Sequence, residues 1–149
     1  MSKNDYILLV EDDSNDVLLI QRAFQKAGIQ QTLKTVRDGE QAVAYLSGRG
    51  TYANRERFPL PFLVLLDLRM PGMDGFEVLQ WVRADPESKR LLVVVLTSSS
   101  DLRDMTKAYQ LGANSFLVKP VDFERLRYAL ELLMRYWFSV VTRRERRSP

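Results

Sequence analysis

At 149 residues, 46% of them hydrophobic, the chain is about one domain long and can bury a full core. It contains no cysteine, which excludes disulfides and thiolate chemistry, and no histidine, which excludes a histidine phosphodonor, a His-bound metal and a His-based triad. The formal charge of +3 equals that of the terminal run Arg143-Arg144-Glu145-Arg146-Arg147, so the body is neutral and the basic balance belongs to a tail.

The elements alternate along the chain. An apolar run, Ile7-Leu-Leu-Val10, predicts a strand over about 6–11 that ends at Glu11-Asp12. A helix follows from about Asn15 to Ala27: Val17, Leu18, Ile20, Ala23, Phe24 and Ala27 keep a 3.6-residue period, and Gly28 stops it. A second strand covers about 32–36, and Asp38 caps a short helix through Ala42, Val43 and Leu46. The polar segment from Ser47 to Pro61 is long for a connection in such a unit, and its Arg49, Arg55 and Arg57 read as a solvated loop. The run Phe62-Leu-Val-Leu-Leu66 ends at Asp67, turn residues follow, and Phe76, Val78, Leu79 and Val82 mark the third helix. Leu91-Leu-Val-Val-Val-Leu96 ends at Thr97, and Ser98 to Asp101 cap a helix stopped by Gly112. A fifth strand, about Ser115 to Val118, runs into Lys119-Pro120, and Asp122 caps a last helix reaching about Val141. Apolar runs alternating with helical patterns make an α/β protein with a doubly wound parallel sheet, (βα)₅, joined by right-handed crossovers. Residues 1–142 form the domain, and 143–149 a charged, frayed tail.

In an open parallel sheet, ligands bind beyond the carboxyl ends of the strands. That rule gathers Glu11, Asp12, Asp67, Thr97 and Lys119 at one end of one sheet. Two like charges about 4 Å apart cost roughly 4 kcal/mol at an effective dielectric near 20. A cation removes that cost; an oxygen-only donor set favours a hard ion, and partial coordination with waters and a phosphate favours Mg²⁺ over Ca²⁺. Glu11 and Asp12 could instead serve the first helix as electrostatic caps; Asp67 at another strand end favours the metal. Asp67 is the best-placed nucleophile for phosphorus, giving an aspartyl phosphate. Lys119 and Thr97 would bind the phosphoryl oxygens by charge and by hydroxyl. Lys119-Pro120 is a candidate cis bond that would aim the lysine inward.

Four segments together, Leu8-Leu-Val-Glu-Asp-Asp13, Leu65-Leu-Asp-Leu-Arg-Met-Pro-Gly-Met-Asp-Gly75, Leu96-Thr-Ser98 and Phe116-Leu-Val-Lys-Pro120, resemble the receiver domain of bacterial response regulators over roughly residues 5–135. The resemblance implies a flavodoxin-like fold with strand order 2-1-3-4-5. It implies Asp67 as phosphoacceptor, Glu11 and Asp12 as the acidic metal pair, Thr97 as switch hydroxyl and Lys119 as phosphate lysine. Arg69 matches the position whose backbone carbonyl completes the metal shell; its side chain, where the family often has asparagine, would bear on the lifetime of the phosphorylated state. Phe116 matches the aromatic that changes rotamer on activation. The 47–61 loop and the ending Tyr136-Trp-Phe-Ser-Val-Val-Thr142 look like the stand-alone regulators that serve bacterial phytochromes.

On the last helix, Leu126, Leu130, Leu133, Trp137 and Val141 form a stripe expected to face the sheet. Tyr128, Leu132, Tyr136 and Phe138 lie off it, and clustered aromatics on a second face are expected to hold a symmetric dimer. The expected function is a single-domain, Mg²⁺-dependent phosphoacceptor that takes its phosphoryl group from a histidine kinase and answers by docking or dimerising. It is not an enzyme with an external product. A phospho-relay intermediate is a second reading. An aspartate-nucleophile phosphatase is a third, disfavoured because such enzymes commonly place an acid where Arg69 stands. No apolar stretch nears the roughly 18 residues of a membrane span and no signal peptide opens the chain, so the location is expected to be cytoplasmic. No nucleic-acid reader accompanies the arginine tail.

Overall fold

A computed structural model describes residues 5–140, with the side chains of 139 and 140 left aside. Five strands, β1 (Tyr6–Val10), β2 (Thr32–Val36), β3 (Leu63–Leu66), β4 (Leu92–Thr97) and β5 (Ser115–Val118), form one sheet in the order β2-β1-β3-β4-β5. Every pairing is parallel. The helices are α1 (Ser14–Lys26), α2 (Gly39–Ser47), α3 (Gly75–Ala84), α4 (Leu102–Gln110) and α5 (Phe123–Arg135).

Strand alternation divides the core into two layers. Leu8, Val10, Val64, Leu66, Val93 and Val95 point to the α2, α3 and α4 side, where Ala42, Leu46, Val78, Leu79 and Ala108 meet them. Ile7, Leu9, Leu63, Leu65, Val94 and Leu96 point to α1 and α5, against Ile20, Phe24, Leu126 and Leu130. Central parallel strands are buried on both faces, which is why β1, β3 and β4 are written as unbroken apolar runs. The edge strands β2 and β5 carry polar residues and are only partly buried.

Asp13, not Glu11 or Asp12, caps α1: its Oδ1 accepts from the backbone N–H of Asn15 at 2.8 Å and of Asp16 at 3.2 Å. Asp13 thus supplies the hydrogen-bonding cap of this helix. Gly75 opens α3 so close to β3 that a Cβ there would overlap the Asp67 carbonyl oxygen and lie 2.7 Å from Leu68 Cα. Its N–H donates to Leu68 O at 3.0 Å, locking the turn after Asp67.

Three expectations are corrected. The Lys119–Pro120 bond is trans. The 47–61 loop is packed: Tyr45, Tyr52 and Phe58 form a ring cluster with centroids 5.1–5.9 Å apart. Arg55 closes the end of α2 by donating to Tyr45 O at 2.8 Å and Leu46 O at 2.6 Å. The third correction concerns the last helix. Its buried residues are Leu126, Leu130, Met134 and Phe138, while Leu133 and Trp137 pack at the margin and Val141 lies outside the described residues. Phe138 is 6% exposed and stacks at 4.8 Å on Phe62, so it belongs to the core and not to a dimer face. The phase changes because α5 gives way to a π-helical turn at Tyr136–Val140. A four-residue step in an α-helix overshoots by about 40°. The wider turn brings the stripe back and carries Phe138 inward.

Candidate functional site

The site lies at the carboxyl ends of β1, β3, β4 and β5. Backbone bonds fix its floor: Asp67 N–H donates to Val10 O at 3.1 Å, and Lys119 N–H donates to Thr97 O at 2.7 Å. Glu11, Asp12 and Asp67 bring one carboxylate oxygen each within 4.8 Å of one another. Glu11 and Asp67 are buried, and Asp12 is the more open of the three. Among the described residues this is the one acidic cluster of metal-binding geometry.

Lys119 reaches into the cluster. Its Nζ donates to Glu11 Oε1 at 2.6 Å and to Asp16 Oδ2 at 2.7 Å, and stands 3.9 Å from Asp67 Oδ2. Burial pushes the Glu11 carboxyl up; the hydrogen bond from Lys119 opposes this, the Asp67 charge adds to it, and the result is about 7. Burial also presses on the lysine, but its hydrogen bonds to Asp16 and Glu11 and the charge of Asp67 prevail and hold its pKa above the ordinary value. Three oxygen donors and no nitrogen or sulfur suit a hard divalent cation.

Thr97 is fully buried at the end of β4, and its Oγ1 accepts from the backbone N–H of Ser99 at 3.3 Å. Phe116 on β5 is half-buried against the α4-side core. Arg69 sends its guanidinium outward to the Asp104 carboxylate on α4, and Ser99 Oγ donates to the same carboxylate oxygen at 2.7 Å. The Ser99 hydroxyl and then the Arg69 guanidinium hold the Asp104 carboxyl below its usual range, against the opposing effect of burial. Arg69 also lies 5.9 Å over the Phe76 ring, with Lys107 over the same ring at 4.3 Å.

The structure places Glu11, Asp12, Asp67, Thr97 and Lys119 at one end of the sheet, while Tyr128, Leu132 and Tyr136 lie exposed on α5 and its extension. Two participants escape sequence reasoning. Asp16 was legible only as a carboxylate in the first turn of a helix starting at the site. Asp104 stands 35 residues from Arg69, and nothing local marks the pair.

The family model for the response regulator receiver domain matches residues 7–131. The probable methanogenesis regulatory protein FilR2 of Methanothrix harundinacea is 40% identical, over 89% of this chain and 83% of that protein. Response regulator Rcp1 of Synechocystis is 38% identical over 91% and 90% of the two chains, and a crystal structure of its Mn²⁺-bound form superposes with a TM-score of 0.82. The phosphorylated cyanobacterial phytochrome response regulator RcpA gives a TM-score of 0.86 at 38% identity, over 93% of this chain and 97% of that one. With its five-stranded 2-1-3-4-5 sheet and its strand-end acids, hydroxyl and lysine, the chain belongs to the response regulator receiver family.

Proposed function

We propose that Asp67 is the phosphoacceptor of this receiver and takes its phosphoryl group from the phosphohistidine of a kinase. An Asp67 carboxylate oxygen forms the new O–P bond as the P–N bond breaks, and the leaving imidazole takes the electron pair. The observation that carries this reading is Lys119: its ammonium lies 3.9 Å from Asp67 Oδ2 and has one proton left for an incoming phosphoryl oxygen. Thr97 supplies the second contact by turning its hydroxyl from the Ser99 N–H toward the phosphoryl group. Phe116 then moves into the vacated space and changes the surface made by α4, β5 and α5.

Glu11, Asp12, Asp67 and the Arg69 carbonyl would hold Mg²⁺, which when bound neutralises carboxylate and phosphoryl charge. The donor chemistry and the raised Glu11 carboxyl support that assignment. Residues 1–142 act as the receiver, and the response passes to other proteins or to a second copy of the chain. Tyr128, Leu132 and Tyr136, each 43–55% exposed, are the anchors proposed for a homodimer. The likeness to RcpA supports a phytochrome-type photoreceptor kinase as the donor, acting in the cytoplasm. Among the described residues no helix is long and apolar enough to cross a membrane. A phosphatase reading is weakened because Arg69, two residues after the nucleophile, is tied to Asp104 and offers no acid. Incubation with acetyl phosphate and Mg²⁺ tests the proposal: one acid-stable, base-labile phosphate per chain is expected. Stoichiometric labelling of Asp67→Asn would overturn it.

A further inference from the structure

Lys119 has three ammonium protons, and in the unphosphorylated site two are committed. Glu11 takes one at 2.6 Å and Asp16 takes another at 2.7 Å, while the Asp67 oxygen at 3.9 Å lies beyond hydrogen-bond reach. The lysine is therefore held off the residue it is expected to serve. Its two holders differ in kind. Glu11 belongs to the carboxylate trio with Asp12 and Asp67, so its hold on the ammonium weakens whenever that trio is neutralised. Asp16 stands on the first turn of α1, outside the trio, so a cation held by the trio leaves its bond to Nζ in place. Its side chain is one-third exposed, against 13% for Lys119, so it grips the lysine from the solvent side.

We propose that Asp16 is a positioning residue that parks Lys119 away from Asp67 and so sets a brake on phosphoryl binding. The proposal rests on the reading of Asp67 as phosphoacceptor. Two effects of Asp16 act in the same direction. It ties the ammonium to its own carboxylate at 2.7 Å while Asp67 Oδ2 stays 3.9 Å away, and it adds one negative charge beside the place where another must arrive. The same charge favours a cation in the trio. Removing it should therefore strengthen phosphoryl binding and weaken cation binding, opposite signs that a loosened α1 would not produce, since damage to the site weakens both.

The test uses the full chain, with Mg²⁺ affinity measured by calorimetry and the affinity for the phosphoryl mimic beryllofluoride measured at saturating Mg²⁺. Asp16→Asn should bind beryllofluoride about threefold more tightly and Mg²⁺ about twofold more weakly, in the range of a partly exposed ion pair. Asp16→Glu, which keeps the charge, should stay near wild type in both. A wild-type protein that does not bind beryllofluoride at all overturns the Asp67 reading and this proposal with it. A wild-type protein that binds, with an Asn variant whose beryllofluoride affinity is unchanged or lower, overturns the brake alone.

Discussion

Glu11 makes the metal-free protein sensitive to pH in an unusual direction. Its carboxyl lies at about 7 in the folded state, against an ordinary 4.5, because burial and the Asp67 charge outweigh the bond from Lys119. A group that binds its proton more tightly in the folded state contributes stability at low pH and loses it as pH rises. For Glu11 that contribution is complete below about 4.5 and gone above about 7. At about 1.4 kcal/mol per pH unit, moving a carboxyl over this interval corresponds to about 3 kcal/mol, an upper bound for the effect of one side chain. Lys119 remains charged across the whole window, so its own raised pKa leaves the slope unaltered. The assay is urea unfolding of wild type and Glu11→Gln at pH 5.0 and 7.5, with EDTA and with Mg²⁺. Without metal, the stability of wild type relative to the Gln variant should fall by up to about 2.4 kcal/mol between the two pH values, slightly less than the full interval because pH 5.0 lies above 4.5. Mg²⁺ should restore wild type at pH 7.5, by about 2.7 kcal/mol at a hundredfold excess over its dissociation constant, and do little at pH 5.0. A wild-type minus Gln difference that is flat in pH, or Mg²⁺ stabilisation larger at pH 5.0 than at 7.5, would refute the reasoning.

Mass spectrometry after incubation with a small phosphodonor should place a single phosphate on Asp67, and Asp67→Asn should carry none. Thr97→Ala should still be phosphorylated, lose about 1 kcal/mol of stability with the bond from Ser99, and fail to change its association state on phosphorylation; analytical ultracentrifugation of the phosphorylated variant decides this. Phe138→Ala should cost about 3–5 kcal/mol in chemical denaturation, since it removes a buried ring packed on Phe62. Leu132→Ala combined with Tyr136→Ala should leave stability within about 1 kcal/mol while shifting sedimentation toward monomer. A Phe138→Ala variant that keeps its stability but sediments as monomer would return that ring to the interface.

The parts of the fold that could be read directly were those where one local signal has one structural meaning. A run such as Leu63 to Leu66 can only be a strand buried on both faces, because its length is too short for a helix and both neighbours, β1 and β4, cover its edges. Once the strands were placed, the topology itself carried Glu11, Asp67, Thr97 and Lys119 to one end, and no side-chain knowledge was needed. Phe138 was illegible for the opposite reason. Its facing depends on accumulated helix phase over more than three turns, and a single π-helical turn after Arg135 shifts that phase with no residue type announcing it. Leu133 and Trp137 fit a straight stripe as well as Met134 and Phe138 fit the real one.

Contacts between loops were hidden more deeply, and they are where this receiver departs from a bare constellation of strand ends. Arg55 reads as a solvated arginine until the chain folds and the carbonyls left open at the end of α2 come within its reach. Arg69 reads as a substitution beside the proposed phosphoacceptor. In the fold it is one end of a chain through the Asp104 carboxylate to Ser99, whose backbone N–H in turn meets the Thr97 hydroxyl. The hydroxyl expected to move on phosphorylation is thus linked, through Ser99, to the α4 carboxylate that Arg69 also holds. Any rotation of Thr97 toward Asp67 releases the Ser99 N–H and acts on the same segment that Asp104 and Arg69 grip. The proposed coupling between site and α4 would then have a polar route, besides the apolar one proposed through Phe116.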